Sequence, residues 1–189
     1  MPRPSRRDHL VQTALALFSA HGFHATGIDR ILEQAGVSKK TLYNHFRSKD
    51  ELILAVLKDY DGRFRNDFVR SVERAAKTPR ARLLAVFDVA GEWFSSSGFY
   101  GCLFINAIGE HASEDSAIRR VCQEFKRLMH DYLLELADQA GLPRPAALAD
   151  QLALLLEGAI VTAQVSKQPN AARTARQAAR LLIKAAEAD

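Results

Sequence analysis

The sequence predicts an all-α protein of about nine helices, with a small N-terminal helix-turn-helix, homeodomain-like head and a larger helical body, and three observations carry that prediction. Apolar residues recur at the 3.6-residue helical period along most of the chain, with no convincing strand pattern. Helix-starting and helix-stopping residues punctuate those segments, among them Thr26, Ser38 and Ser48 at starts and Gly36 and Gly141 at stops. Between Thr26 and Lys49, two short helix patterns flank the tight turn Gly36-Val37-Ser38, the arrangement of a helix-turn-helix.

An amphipathic first helix contains A-L-A-L-F at Ala14 to Phe18 and is followed by H-G-F at His21 to Phe23. Thr26 is then placed to cap the next helix, with Asp29 in the capping-box spacing and Ile28, Ile31, Leu32 and Ala35 as its apolar stripe. Gly36 ends it, because a residue without Cβ enters the left-handed region freely. Ser38 caps the following helix. There Leu42 and Phe46 point inward, and Lys39, Lys40, Tyr43 and Asn44 are left facing out. Ser48 with Glu51 repeats the capping-box spacing and opens a long helix, Ser48 to Ala76, with apolar positions at Leu52, Val56, Tyr60, Phe64 and Phe68.

The pattern after residue 76 stays helical. Thr78-Pro79 starts a helix carrying Leu83, Val86, Phe87, Ala90, Trp93 and Phe94, and Ser95 to Gly101 is a loop. A short helix follows from Cys102 to about His111, then a long one whose stripe runs from Ile118 through Phe125 and Met129 to Leu136 and stops at Gly141-Leu142-Pro143. The segment from Ala146 to about Val165 is apolar nearly all round its last three turns, and an alanine-rich helix ends near Glu187. The domain organisation expected is a head at 1–50 and a body at 51–189.

At T-L-Y-N-H-F followed by S-K-D-E-L, Thr41 to Leu52, the chain resembles the DNA-binding head of the TetR/AcrR family of transcriptional regulators. It departs from the pattern at Gly27 and Asp29, where the family often has serine and a basic residue. The resemblance implies that Lys39, Lys40 and Thr41 meet base edges, that Tyr43, His45 and Lys49 grip phosphates, and that Asn44 does either. Thr26, at the start of the motif's first helix, joins that DNA-binding set. A solvated helix face is the competing reading for any isolated lysine pair, and His45 alone could equally pack its ring on the core.

Charge agrees with the resemblance. The first fifty residues hold eight Lys and Arg against four Asp and Glu, and the other 139 balance at 18 against 18, so the whole net charge of +4 sits in the head. A phosphate-facing module joined to a neutral body has that distribution. Pro2 to Arg7 is expected to be disordered, its arginines either settling on the DNA backbone or in the minor groove or serving only as a solubilising end.

With 48% hydrophobic residues the chain can build a core, and no segment is expected to reach the length of a membrane span. Two cysteines in separate segments and no apolar leader fit a reducing cytoplasm, with no membrane partner. No cofactor or metal is expected, and no enzyme: H-E-x-x-H, P-loop, C-x-x-C and G-x-S-x-G motifs do not occur. Glu110-His111 with Glu114 and Asp115 reads as a capped, solvated helix end.

Leu152, Leu155, Leu156, Ala159, Ile160 and Ala163 are too apolar for a helix with a solvent face, so that helix is either central or an interface. The family resemblance favours an interface in which the last two helices of each subunit, with Ala178 and Leu182 on the final one, form a four-helix bundle. A homodimer on palindromic double-stranded operator DNA follows. The resemblance also implies an effector pocket between the middle helices, for which Trp93, Phe94, Phe99, Tyr100, Cys102, Phe104, Asn106 and Tyr132 are the candidate linings and a small apolar or aromatic molecule the expected effector. Each can equally be plain core. Cys102, after Gly101 at a helix start, admits an electrophile-sensing or redox-sensing role. A non-specific DNA-packaging protein is the rival class.

Overall fold

The computed structural model describes residues 5–111, 116–167 and 170–187, and the regular elements among them are nine α-helices. They are α1 (Arg6–His21), α2 (Ile28–Ala35), α3 (Lys39–His45), α4 (Lys49–Ala75), α5 (Pro79–Phe94), α6 (Leu103–Glu110), α7 (Ala117–Gln139), α8 (Pro145–Ser166) and α9 (Ala171–Ala186). They divide into two compact units. The first holds the described residues up to 63 together with those of 103–125, and the second holds 64–102 and 126 onward. The helices α4 and α7 each supply residues to both units. The sequence boundary at 50/51 does not anticipate that α6 and the start of α7 join the head's unit, because that grouping is built from contacts distant in sequence.

In the first unit, Ser5 caps α1 by accepting the Asp8 N–H at 3.1 Å, so Arg6 and Arg7 are helical. The disordered arm expected from Pro2 to Arg7 therefore does not extend into Arg6 and Arg7; residues 1–4, with Arg3, lie outside the described residues. The Arg7 guanidinium sits 5.3 Å from the centre of the Phe46 ring, a cation–π contact. Leu10, Phe18, Phe23, Ile31, Leu42, Leu52 and Val56 are buried together as the head's core, with Phe18 stacked on Phe23 at 4.9 Å. Each such side chain contributes about 1.5–3 kcal/mol of transfer free energy. On the surface, Gln12 Nε2 donates to Asp59 Oδ2 and Arg63 donates back to Gln12 Oε1, both at 2.9 Å, tying α1 to α4. Within the same unit, α6 is anchored by Phe104, fully buried and stacked on Phe125 with ring centres 3.8 Å apart.

The second unit is a helical layer in which α8 packs on α9, and both pack on α5. Thr78 caps α5, accepting the Ala81 N–H at 3.3 Å, with Pro79 in the first turn. The alanines of α9, Ala172, Ala175 and Ala179, are buried and let the neighbouring helices approach closely. Phe64, Phe68, Trp93, Phe94 and Phe99 form an aromatic cluster with ring centres 4.9 to 5.8 Å apart in successive contacts.

Helix α8 corrects two sequence expectations. At 22 residues and a mean hydropathy of 1.5 over its most apolar window, it is long and apolar enough to cross a membrane by length and composition, contrary to the expectation that no segment is. Part of its apolar surface, 39% of that stretch, is buried inside the protein. Leu152, Leu156, Ala159, Ile160 and Ala163, expected at a subunit interface, are all buried within the protomer, and Leu155, Ala178 and Leu182 are half-buried. The apolar side chains that remain uncovered lie on the adjacent face: Leu154 is 76% exposed, Val161 42%, Val165 77% and, on α9, Leu181 68%.

Candidate nucleic-acid interface

The turn between α2 and α3 is held by three local devices. Gly36 ends α2 in the left-handed conformation, φ +64°, with its N–H returning to the carbonyls of Leu32 and Glu33. Ser38 then accepts the Thr41 N–H at 3.2 Å, and the Ser38 and Thr41 hydroxyls lie 3.0 Å apart. Such a cap contributes about 1 kcal/mol and fixes where the helix begins. Leu42, fully buried, and Phe46, 2% exposed, pin α3 to the head; Phe46 is the extended residue that caps the helix end.

With that side anchored, the other side of α3 faces out. Lys39, Lys40, Tyr43, Asn44 and His45 are exposed, and Thr41 is half-exposed. No hydrogen bond or ion pair engages Lys39, Lys40 or Asn44 among the described residues. The His45 ring tilts beside Phe46 at 6.3 Å but stays on the surface. The Lys49 ammonium, half-buried at the start of α4, donates to the His24 carbonyl at 3.4 Å. Ser48 accepts the Glu51 N–H at 3.2 Å while the Glu51 carboxylate takes the Arg47 N–H at 2.6 Å, a capping box displaced by one residue. A short, rigidly capped helix thus presents two ammonium groups, an amide and a phenol from one face, the donors and acceptors that suit base edges and phosphates.

Thr26 does not belong to that face. It is fully buried, its hydroxyl donating to the Gly22 carbonyl at 2.7 Å and lying 3.4 Å from the Leu17 carbonyl, and the residue at the cap position of α2 is Gly27, with no side-chain cap. The expected cap is not made, because the hydroxyl is spent on the end of α1, and that burial argues against the expected DNA contact.

The role of Glu110 differs from the sequence expectation. Instead of marking a solvated helix end, its carboxylate accepts the Phe23 N–H at 2.9 Å and the His24 N–H at 2.6 Å, in the turn between α1 and α2. Glu114 and Asp115 lie outside the described residues.

Of the candidate effector linings, the structure brings together Phe94, Phe99 and Tyr100. With Gly101, Ala163, Gln164 and Lys167 they line a recess of about 400 Å³ in the second unit. Trp93 is not among the lining residues but packs edge-on to Phe99 at 5.0 Å. Phe104 and Asn106 are on α6 in the first unit and do not line it. Tyr132 is also away from the recess; its hydroxyl is buried with no hydrogen-bond partner among the described residues, and burial pushes its pKa up to about 12, with the charge of Glu73 adding to the effect. Ala163, Gln164 and Lys167 were not foreseen as linings, since nothing in their spacing on α8 marks a concave surface. Cys102 precedes α6 rather than starting it, is 4% exposed, and has the Lys126 ammonium 3.5 Å from its sulfur.

Residues 10–56 match the family model described as bacterial regulatory proteins, tetR family. Among curated proteins, the chain is 42% identical over 95 residues to the HTH-type transcriptional activator FasR of Mycolicibacterium smegmatis, a match covering 47% of this chain and 42% of that protein. It is 30% identical over 158 residues to the HTH-type transcriptional regulator BetI of Rhizobium meliloti, covering 82% of this chain and 73% of that one. Among solved structures, SCO4454, a TetR-family transcriptional regulator from Streptomyces coelicolor, superposes with a TM-score of 0.88 at 29% identity over 96% of this chain and 95% of its own. A capped helix-turn-helix with an outward lysine pair, in a chain whose described residues form nine helices and which matches BetI and SCO4454 over most of its length, is a DNA-binding regulator rather than an enzyme, and the chain belongs to the TetR family of transcriptional regulators.

Proposed function

We propose that the chain is a ligand-responsive repressor that binds a palindromic operator as a homodimer and is released by a small, mainly apolar or aromatic effector. The observation that carries the DNA half is the outward face of α3, where Lys39 and Lys40 are exposed and unengaged among the described residues while Leu42 and Phe46 fix the helix behind them. One such helix spans only a few base pairs, so two are needed for an operator of useful length, about 34–36 Å or somewhat more apart. Leu154, Val161 and Val165 on α8, with Leu181 on α9, supply an uncovered apolar face suited to pairing with a second copy.

The recess lined by Phe94, Phe99 and Tyr100 supports the effector half. About 400 Å³ suits a small ligand, and aromatic walls favour an apolar one. To release DNA the effector must prefer the DNA-incompetent state, by about 1–3 kcal/mol in a typical coupling.

Binding-site selection on the purified protein tests the reading. An enriched inverted repeat, bound about 10³-fold or more tighter than random DNA, is the expected result, and uniform binding to all sequences would return the packaging alternative.

A further inference from the structure

We propose that Glu110 is a positioning residue for DNA reading: its carboxylate, projected from the end of α6, occupies the paired N–H donors of the α1–α2 turn and thereby holds the residue whose carbonyl receives Lys49. The proposal rests on the DNA-reading role assigned above.

The geometry is that of an anion site built from backbone and filled by the chain's own carboxylate. Phe23 and His24 are consecutive, and both N–H groups converge on Glu110, at 2.9 Å to Oε1 and 2.6 Å to Oε2. Successive amides turned to one side form a concave nest for negative charge, and hydrogen bonds to an ionised acceptor are about twice as strong as neutral ones. Gly22 makes room for it. Its φ of +84° is one that L side chains rarely adopt, and a Cβ there would stand 2.9 Å from Glu110 Oε1. The next residue, His111, adds ring contacts to the same turn, 5.9 Å from Phe23 and 5.3 Å from His24. At its other end α6 is anchored by Phe104 against Phe125, so the carboxylate is presented from a fixed element.

From the turn the arrangement continues toward DNA. The His24 carbonyl accepts from Lys49 Nζ, one of the candidate phosphate contacts. The Gly22 carbonyl accepts from Thr26 immediately before α2. A displaced turn therefore moves the entry to the helix-turn-helix, which lowers the ratio of operator to random-sequence affinity, and the resting place of Lys49, which changes both affinities alike. Charge alone predicts the opposite effect of losing Glu110, since removing a negative group near the head strengthens binding to any DNA. The two effects separate in the ratio of operator to random-sequence affinity.

The test uses the full chain with Glu110→Gln and Glu110→Ala. Without DNA, the Phe23 and His24 amides are expected to exchange with solvent about tenfold faster in both variants. Excess sodium formate, against matched sodium chloride, is expected to slow them again in Glu110→Ala only, because a free carboxylate re-enters the vacated donors. With DNA, the ratio of operator to random-sequence affinity is expected to fall about tenfold and to recover with formate in Glu110→Ala. Should Glu110→Ala not fold, Glu110→Gln decides: it keeps the side-chain volume and loses the charge and one acceptor. Unchanged exchange, or formate acting no better than chloride, overturns the clasp. Faster exchange with an unchanged affinity ratio overturns the positioning role. A wild-type protein that selects no operator fails the function proposed above, while the exchange arm still decides the clasp.

Discussion

The Lys126 ammonium lies 2.6 Å from both carboxylate oxygens of Glu157 and 3.5 Å from the Cys102 sulfur, so this cation beside the buried thiol is already claimed by a carboxylate. Both partners of the ion pair are about two-thirds to three-quarters buried, with 26% and 35% of their side-chain surfaces exposed. At that depth, removing one partner leaves the other charge poorly compensated. Lys126→Met or Glu157→Leu alone is expected to cost about 1–3 kcal/mol, and the two together less than the sum of the single changes. Urea unfolding of the four proteins checks the coupling. Cys102→Ser is expected to leave any release from DNA by electrophiles unaltered, since Cys102 is 4% exposed.

The two lysines of the head should fail differently. Lys40 faces outward on α3, whereas Lys49 rests on the His24 carbonyl at the start of α4. Lys40→Ala is expected to relax specificity at one operator position, costing about 1–3 kcal/mol there. Lys49→Ala should weaken operator and random DNA alike and reduce the salt slope by about 0.9. Titrations against operator variants at several salt concentrations separate these outcomes, and identical behaviour of the two variants would remove the assigned roles.

Thr26→Val keeps shape and loses the hydroxyl that donates to the Gly22 carbonyl in a fully buried site. The expected cost is about 1–3 kcal/mol of stability, with operator sequence preference unchanged. A changed preference at constant stability would restore Thr26 to the DNA-contacting set.

The residues explain why some of this was legible in advance. Ser38, Gly36, Ser48, Leu42 and Phe46 were readable because caps and inward faces are set within one turn of helix. Thr26 looks identical to a cap in sequence, yet its partners are the carbonyls of Gly22 and Leu17, and only the path of the preceding chain shows that. Glu110 pairs with amides 86 and 87 residues away, a relation without any local signature. Helix α8 is apolar on two faces, so periodicity proves that it is buried on one side but cannot choose between the Leu152–Leu156 side and the Leu154–Val165 side. Packing chooses: α5 and α9 cover the first.

That choice separates two kinds of substitution on one helix. Leu154→Asp with Val165→Asp alters side chains that are 76% and 77% exposed, so the fold is expected to survive. Sedimentation velocity should then show a monomer, and operator affinity should fall steeply because a single recognition helix remains. Leu152→Ala, at a fully buried position, should instead cost about 2–5 kcal/mol of folding stability while leaving the assembled species a dimer. A Leu154→Asp, Val165→Asp protein that stays dimeric would place the interface elsewhere.

Tyr132 gives a pH signature of the second unit's interior. Burial, the largest cause, and the charge of Glu73 raise its pKa from 10.0 to about 12, so the folded chain holds the phenol proton more tightly than the unfolded chain does. The associated stability is fully present below the unfolded value of 10.0 and is lost as pH rises toward about 12, where the unfolded state binds fewer protons. The hydroxyl also has no hydrogen-bond partner among the described residues, so its removal sacrifices no bond there. Tyr132→Phe is therefore expected to be neutral or slightly stabilising at pH 7 and to flatten the alkaline fall in stability. Thermal melts of both proteins from pH 8 to pH 11 check the sign: a wild-type curve no steeper than that of Tyr132→Phe would show that the phenol ionises as easily in the folded chain as outside it.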